Sequence, residues 1–413
     1  MQIRNPLLRD FHPLDPATLA EPHRYLAALR AEAPVYACPK TGLFVVTSYE
    51  LVDEVVKRND LFSNRFAVAM GQNDPPEAVR AAAAEGYRVV DTMLTADDPE
   101  HRRYRGLVNK AFTPRRIERI AASIEDISRT LIDAFAGDAK VEILSQYAVQ
   151  LPLTVIADQL GVPREDLPRF KRWTDGFVAQ LGGLASGDEA VEAARRIVEF
   201  QHYFAEKLEE ARREPREDII SDLVRASLED ERPLETAESL SILQQLLVAG
   251  NETTADAIAE GCLLLARHPE AQQAIREDPA RIPGLVDEVL RLSTPTANMW
   301  RVAAEDTTLG GVEIKKGAFL LVSFASANRD ESRFSDPDRF DPSRGNAKEQ
   351  IAFGHGVHAC VGAPLARREM QTAFGQLLSR IGPFTLCPDA APPRYRPNIL
   401  LHGLETLKLR FAA

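Results

Sequence analysis

Cysteine is scarce in this chain: there are four, at positions 38, 262, 360 and 387, and no two stand at CxxC spacing. A zinc ribbon and a thioredoxin-type redox pair are therefore excluded. No apolar run approaches the roughly 20 residues that a membrane-spanning helix needs. The opening residues, Met1 to Pro6, also lack the apolar core of a signal peptide, so a cytoplasmic protein without a membrane anchor is expected. Linkers rich in Gly and Ser or in Pro, low-complexity tracts and internal repeats are missing too. One domain over 1–413 is expected, although the length alone would allow two or three. Basic residues are outnumbered, 50 against 61 acidic, for a formal charge of -11. That argues against nucleic acid or an anionic membrane as a partner and confines any basic function to a local patch. What remains, 45% hydrophobic and 27% charged residues, is an ordinary soluble composition able to bury a sizeable core.

Three- and four-residue apolar spacing runs through 16–32, 49–59, 99–112, 114–135, 145–160, 165–181, 188–213 and 236–267, and each reads as a helix. Strand patterns are few and short: 35–37 and 43–47 around a Pro-Lys-Thr-Gly turn, then 307–311, 319–324 and 406–411. The expected fold is mainly α with small β-sheets.

The pattern over 236–267 spans 32 residues, or about 48 Å of helix. Its apolar course is interrupted by Ala249-Gly250-Asn251-Glu252-Thr253-Thr254. Glycine weakens a helix, and a Thr253 hydroxyl bonded back to the Ala249 carbonyl would open the ladder there. Two readings stand: a tolerated polar kink, or a groove in which an acid and an alcohol relay protons to a ligand lying against the helix.

A second segment, Phe353-Gly-His-Gly-Val-His-Ala-Cys360-Val-Gly362, runs directly into a helical pattern over 363–381. A cysteine in a glycine-punctuated loop at a helix start meets unpartnered backbone N–H groups, which stabilise a thiolate. Such a thiolate is a strong iron ligand. Buried cysteines are ordinarily small hydrophobes, and that description suits Cys38, Cys262 and Cys387. The glycines at 354, 356 and 362, Phe353 and the cation-capable His358 set Cys360 apart.

This segment resembles the haem-binding loop of the cytochrome P450 family, FxxGxHxCxG, at every defined position. The resemblance implies the P450 fold, a triangular prism with haem b (iron protoporphyrin IX) between the long central helix and the Cys-loop helix. It makes Cys360 the metal ligand, whose thiolate pushes electron density toward O–O cleavage. Further segments are similar to the family over most of the chain. Glu288-Val-Leu-Arg291 resembles its ExxR motif and Pro337-Asp-Arg339-Phe340 its Pro-x-Arg-Phe element, implying a buried structural network of Glu288, Arg291 and Arg339. His101, Arg105, Arg301 and His358 match the groups that hold the haem propionates, with Ala249, Phe353 and Gly362 also lining the cofactor. Residues 249–254 are similar to the family's A/G-G-x-D/E-T pattern. By that likeness Thr253 steadies dioxygen and a water on the distal face while Glu252 feeds protons, which argues against the peroxide-driven branch that lacks this pair.

By family position the substrate pocket takes Gln245, Val248, Ala249, Thr296, Ala297, Asn298, Ile399 and Leu400, with the loop over 67–92. Most are small or apolar, so a small hydrophobic substrate is expected. Gln245 and Asn298 either anchor a polar substituent or bond backbone. The insert at 78–85 and the turn at 182–187 are expected to move.

There is no CxxCH, so haem is expected to be held without thioethers, and no GxGxxG follows a strand. Electrons are therefore expected from NAD(P)H through separate proteins, a ferredoxin and its reductase, as in the soluble bacterial type. The implied activity is that of a monomeric monooxygenase inserting one atom of O2 into the substrate. Oxidative coupling or dehydration on the same fold is the alternative. A haem carrier or gas sensor would not need the Glu252–Thr253 pair. For donor docking, Arg102, Arg103, Arg105, Lys110, Arg115, Arg116 and Arg119 against Glu118 give a local charge of +6 over 101–120, which Arg367 and Arg368 would extend.

Overall fold

The computed structural model describes residues 4–9, 11–67, 75–110, 112–182, 185–228 and 232–411. Its helices, in chain order, are α1 (Pro16–Ala20), α2 (His23–Glu32), α3 (Tyr49–Lys57), α4 (Glu77–Ala83), α5 (Glu100–Asn109), α6 (Pro114–Asp133), α7 (Gln150–Gln159) and α8 (Leu167–Gly182). They continue as α9 (Gly187–Arg213), α10 (Ile219–Leu228), α11 (Thr236–Arg267), α12 (Pro269–Glu277), α13 (Ile282–Ser293), α14 (Phe324–Ala327) and α15 (Ala363–Arg380). The mainly helical expectation holds.

Proline accounts for two departures from the expected helices. The pattern over 16–32 is two helices because Pro22 has no N–H to continue α1 and instead occupies the N-cap of α2. The pattern over 145–160 begins as a π-helical turn, Leu144–Ala148, in which Val149 N donates five residues back to the Leu144 carbonyl at 2.9 Å. Pro152, three residues further on, has no N–H to offer Ala148, so the regular ladder starts only beyond it. Helices α4, α10, α12 and α14 were not anticipated, the last beginning at Phe324, where the strand pattern was expected to end.

The strands are β1 (Val35–Ala37), β2 (Phe44–Val46), β3 (Phe62–Ser63), β4 (Lys140–Glu142), β5 (Asn298–Ala303), β6 (Thr307–Leu309), β7 (Val312–Ile314), β8 (Phe319–Ser323), β9 (Phe384–Leu386) and β10 (Lys408–Phe411). They form sheets ordered β1-β2-β8-β5-β3, β4-β10-β9 and β6-β7. In the largest, β2 and β8 run parallel and β5 pairs antiparallel with β8, setting Arg301 opposite Leu320 and Asn298 opposite Ser323. One face is covered by Val52, Val55 and Val56 of α3, which meet Val46, Phe62, Leu320 and Val322 in a closed apolar core.

The chain forms two compact units. One comprises 1–63, 124–151 and 253–413, and the other 64–123 and 152–252. The second is organised on α8 and α9, where Phe170, Trp173, Phe177, Phe200 and Phe204 interlock with ring centroids 4.6–6.1 Å apart. Such offset and edge contacts add to the burial of large aromatic surfaces.

The first unit contains a buried ionic network on α13. Arg291 donates from Nε and Nη2 to both Glu288 carboxylate oxygens at 2.8 Å, and both side chains are fully buried. Its remaining protons go to the carbonyls of Asn328, Pro337 and Arg339. The third member is not the one expected. Arg339 contributes only its carbonyl; its side chain is 64% exposed and pairs with Asp341 at 2.9 Å. Arg344 supplies the second guanidinium, with Nε 3.2 Å from Glu288 Oε1 and its other nitrogens on the carbonyls of Ser335, Asp336 and Arg339. Asp336 has a φ of 46°, and Arg339 N donates back to its carbonyl at 3.0 Å, closing a tight turn between the two arginines' backbone partners.

The two arginines therefore separate in experiment. Arg344→Ala leaves a buried carboxylate half-compensated and should cost about 3–5 kcal/mol in urea unfolding. Arg339→Ala removes an exposed pair and should cost at most about 1 kcal/mol. Equal losses would refute the assignment.

Candidate active site

Helix α11 is unbroken through residues 249–254, so the polar insertion does not open it. Its side chains are instead held by α8. Glu252 is 3% exposed, and its Oε1 lies 3.5 Å from Lys171 Nζ. Asn251, fully buried, donates from Nδ2 to Thr174 Oγ1 at 3.0 Å. Lys171 also pairs with Asp175. Burial works against its charge, yet Glu252 and Asp175 together hold its pKa above the usual lysine value. Neither Lys171 nor Thr174 had a sequence signal, because helical periodicity reports the buried face and not which polar group across it will meet an acid. Thr253, which opens the last segment of the other unit, is half-buried.

The cysteine loop is shaped by its glycines. Gly354 and Gly356 have φ of 65° and 73°, and a Cβ at 356 would lie 2.7 Å from the Val56 carbonyl oxygen. The loop therefore rests against the end of α3, where His355 Nδ1 also sits 2.7 Å from Asp53 Oδ1. A single 3-10 turn, Gly356–His358, follows, and Cys360 N donates to the Phe353 carbonyl at 2.9 Å. Gly362 is the N-cap of α15, and a Cβ there would stand 3.9 Å from Cys360 Sγ. Cys360 is exposed while Cys38, Cys262 and Cys387 are buried. Burial pushes the Cys262 thiol up to about 12, as expected of an inert core residue. The Arg367 guanidinium lies 5.2 Å from the centre of the Phe353 ring.

Arg301 on β5 is 2% exposed and donates from Nη1 to the Trp300 carbonyl at 2.7 Å. His358 is half-buried in the same unit. In the second unit His101 is 2% exposed, with Nδ1 3.5 Å from Asp98 Oδ1. Burial lowers its pKa, and Asp98 only partly offsets that. One turn along α5, Arg105 donates from Nε to Asn109 Oδ1 at 3.1 Å. Within the first unit the donor set suits haem chemically: a soft, exposed thiol on a helix-capping loop for iron, with the buried Arg301 and the half-buried His358 to take carboxylates.

Two of the expected pocket polar groups are used by the backbone. Gln245 Oε1 accepts from Leu94 N at 3.0 Å, and Asn298 Nδ2 donates to the Ile399 carbonyl at 2.7 Å. On α11, Val248 is half-buried and Ala249 is exposed, next to the buried Leu246 and Leu247. Thr296 bridges to Leu401, while Ala297, Ile399 and Leu400 are buried. Of the loop over 67–92, residues 68–74 lie outside the described residues, as do 183 and 184 of the turn at 182–187. The insert at 78–85, expected to move, is largely the helix α4, fastened to α9 where Gln201 bonds both backbone groups of Tyr87 at 2.8 and 3.0 Å.

The basic patch on α5 and α6 is also altered by its partners. Arg102 pairs with Asp98 at 2.8 Å, Arg103 with Glu238 at 3.7 Å, and Arg116 with Asp222. Arg367 and Arg368 pair with Asp287 and Glu125. A local count over 101–120 misses these acids, Asp98 and Glu125 because they lie just outside the window and the others because they come from distant segments. Arg115 and Arg119 are exposed.

The family model for cytochrome P450 matches residues 188–406. Cytochrome P450 107B1 of Saccharopolyspora erythraea is 36% identical over 409 residues, which cover 97% of this chain and 98% of that protein. The cytochrome P450 monooxygenase PikC of Streptomyces venezuelae is 35% identical over 413 residues, covering 98% and 95% respectively. The solved structure of cytochrome P450 CYP109Q5 from Chondromyces apiculatus superposes with a TM-score of 0.85 at 36% identity, over 97% of this chain and 98% of that one. With a helical fold, small sheets and a glycine-bound cysteine loop, the chain belongs to the cytochrome P450 family of monooxygenases, an oxidoreductase class. Membership implies a haem-thiolate cofactor and O2. Among the described residues no helix is long and apolar enough to cross a membrane.

Glu369, nine residues beyond Cys360 on α15, is 1% exposed, and burial raises its pKa well above the usual carboxyl value. Its stability contribution is fully present below the ordinary carboxyl pKa. It is lost as pH rises through the higher native value, at up to about 1.4 kcal/mol per pH unit. Glu369→Gln should remove this slope, so that the variant gains urea resistance over the parent at pH 7 and loses that advantage toward pH 4. Parallel pH profiles would show that Glu369 ionises normally.

Proposed function

We propose that residues 1–413 form a single haem domain that inserts one atom of O2 into a small hydrophobic organic substrate, with electrons from NAD(P)H delivered through a ferredoxin and its reductase. The observation that carries this reading is the exposed Cys360 on its glycine-shaped loop, set apart from three buried cysteines. The Glu252–Thr253 pair in α11 supports it. When bound, haem supplies one-electron chemistry and the activation of dioxygen. Cys360 would ligate the iron as thiolate, Arg301, His358, His101 and Arg105 would hold the propionates, and Phe353, Gly362 and Ala249 would line the ring. Thr253 Oγ1 presents a proton at the oxygen site and orients a water. Glu252 Oε1, held by the partly exposed Lys171, passes protons from solvent inward, because the ion pair can open toward water at its lysine end. Gln245 and Asn298 shape the pocket indirectly, through the backbone that each one holds. A monomer served by a soluble donor completes this reading.

Ligation and proton delivery are separately testable. The reduced native protein with carbon monoxide should show the strongly red-shifted Soret band of a thiolate ligand, and Cys360→His should lose it; a histidine-type band in the native protein would overturn the reading. Thr253→Ala should retain that band but release hydrogen peroxide, with product formed per NAD(P)H falling about tenfold or more. Unchanged coupling would exclude the Thr253 role. Labelled dioxygen distinguishes monooxygenation, which places one labelled atom in the product, from oxidative coupling, which places none.

Donor docking is assigned to the exposed Arg115 and Arg119, since Arg102, Arg103 and Arg116 are held in ion pairs. Charge reversal at either should raise the ferredoxin concentration for half-maximal reduction several-fold at low salt. The difference should shrink as the Debye length falls from about 10 Å at 0.1 M to about 3 Å at 1 M salt. Indifference to both reversal and salt would place the donor elsewhere.

A further inference from the structure

The acids of α11 continue past Thr253. Asp256 and Glu260 follow at three and seven residues, one turn apart on the same side of the helix. Asp256 is 2% exposed and accepts from Arg396 Nη2 at 2.6 Å. Glu260, whose pKa burial raises, accepts the Tyr395 hydroxyl on both oxygens, at 3.2 and 3.1 Å. The partners are consecutive residues of the C-terminal segment, so one short stretch of chain is bound to two successive turns of the helix.

That stretch is the base of a hairpin. Arg396 N donates to the Gly403 carbonyl at 2.9 Å, Glu405 N to the Arg394 carbonyl at 2.8 Å, and Tyr395 bridges Leu404. Gly403 packs so closely that a Cβ there would run into the Asp256 carboxylate. His402 stacks on Tyr395 with centroids 4.1 Å apart and planes inclined by 18°. The hairpin tip carries Ile399 and Leu400. It is shaped by Asn398, whose Oδ1 accepts from Leu400 N and Leu401 N at 2.9 and 3.0 Å, and it is fastened to the residues leading into β5. There Asn298 N donates to the Leu400 carbonyl at 3.2 Å, and His402 N to the Pro295 carbonyl at 2.9 Å.

The hairpin is thus clamped at both ends, and its base clamp is electrostatic and directional rather than apolar. Side-chain ion pairs and a two-oxygen hydroxyl bond fix position along the helix, which apolar packing alone specifies poorly. We infer that Asp256–Arg396 and Glu260–Tyr395 are positioning pairs that set the register of the Ile399–Leu400 tip against the Thr253 turn of α11, and so fix the size of ligand this side of the pocket admits. The four act on the pocket through the hairpin that they hold. The inference rests on the haem-pocket reading given above, since it takes the tip to be a pocket wall.

The test uses the haem-loaded full chain and two iron-binding probes, imidazole and the bulky clotrimazole, titrated by their Soret shifts. Tyr395→Phe deletes only the hydroxyl and keeps the stack on His402, while Arg396→Gln combined with Asp256→Asn removes the other pair without leaving a buried charge. Both variants should bind imidazole within twofold of the parent and clotrimazole at least fivefold differently, so that the ratio of the two constants moves. A purely structural weakening would lower haem content or shift both probes together. An unchanged ratio in Tyr395→Phe overturns the inference even if the double variant fails to accumulate. If the parent lacks the thiolate carbon monoxide band, the haem reading itself fails and this inference falls with it; a normal band with an unmoved ratio removes the positioning role alone.

Discussion

The Glu288–Arg291 pair is the contact on which the order of the first unit depends. Two charges without solvent are tolerated only where their remaining hydrogen-bonding groups are used, and here most are directed at backbone and one at a second guanidinium. Arg291 gathers carbonyls from Asn328, Pro337 and Arg339, while Glu288 accepts from Asp341 N at 3.0 Å and from Arg344. The irregular chain between α14 and the cysteine loop has little secondary structure of its own, and this network supplies the partners that a sheet or helix would otherwise provide. The loop bearing Cys360 is then defined at its far side by close backbone contact with the end of α3 and by the cap of α15.

A second constraint comes from α11, which is apolar over most of its length but carries a row of acids, the buried Glu252 and Asp256 and the half-buried Glu260. Each acid is matched to a different kind of partner. Glu252 has a partly exposed lysine, Asp256 an arginine, and Glu260 a tyrosine hydroxyl in an environment that raises its pKa. Lys171 and Arg396 are equally half-exposed, at 36% and 37%, whereas the partner of Glu260 is a neutral hydroxyl. Carboxylates spaced along one helix therefore meet charged or neutral partners, and the ionisation of each follows from that environment rather than from spacing.

Much of the fold was legible because long amphipathic periods survive any tertiary context, and α9, α11 and α15 appear close to their expected limits. The cysteine loop was legible because φ above zero demands glycine, which leaves a mark in the sequence at 354 and 356. Strands of two or three residues such as β3, β4, β7 and β9 carry too little period to be seen. The third member of the ionic network was misassigned for a related reason: Arg339 and Arg344 both lie within one irregular stretch, where no period tells which guanidinium points inward.

Charge was the property read least well from sequence, and the cause is general. A window of 20 residues sums the charges a segment carries, whereas the field it presents depends on acids brought in from elsewhere. Glu238 illustrates this. It lies 134 residues from Tyr104 in sequence, yet it accepts from that hydroxyl at 2.6 Å and from Arg232, and it stands 3.7 Å from Arg103. Those contacts outweigh the burial that opposes its charge and hold its carboxyl down at about 2, so it stays ionised and cancels positive charge across the ordinary pH range. The basic character of α5 is largely internal bookkeeping between elements, and the outward field is left to the start of α6. A surface for an acidic partner is therefore narrower than the sequence suggests, and its strength rests on a few exposed arginines, the situation in which salt has its largest effect.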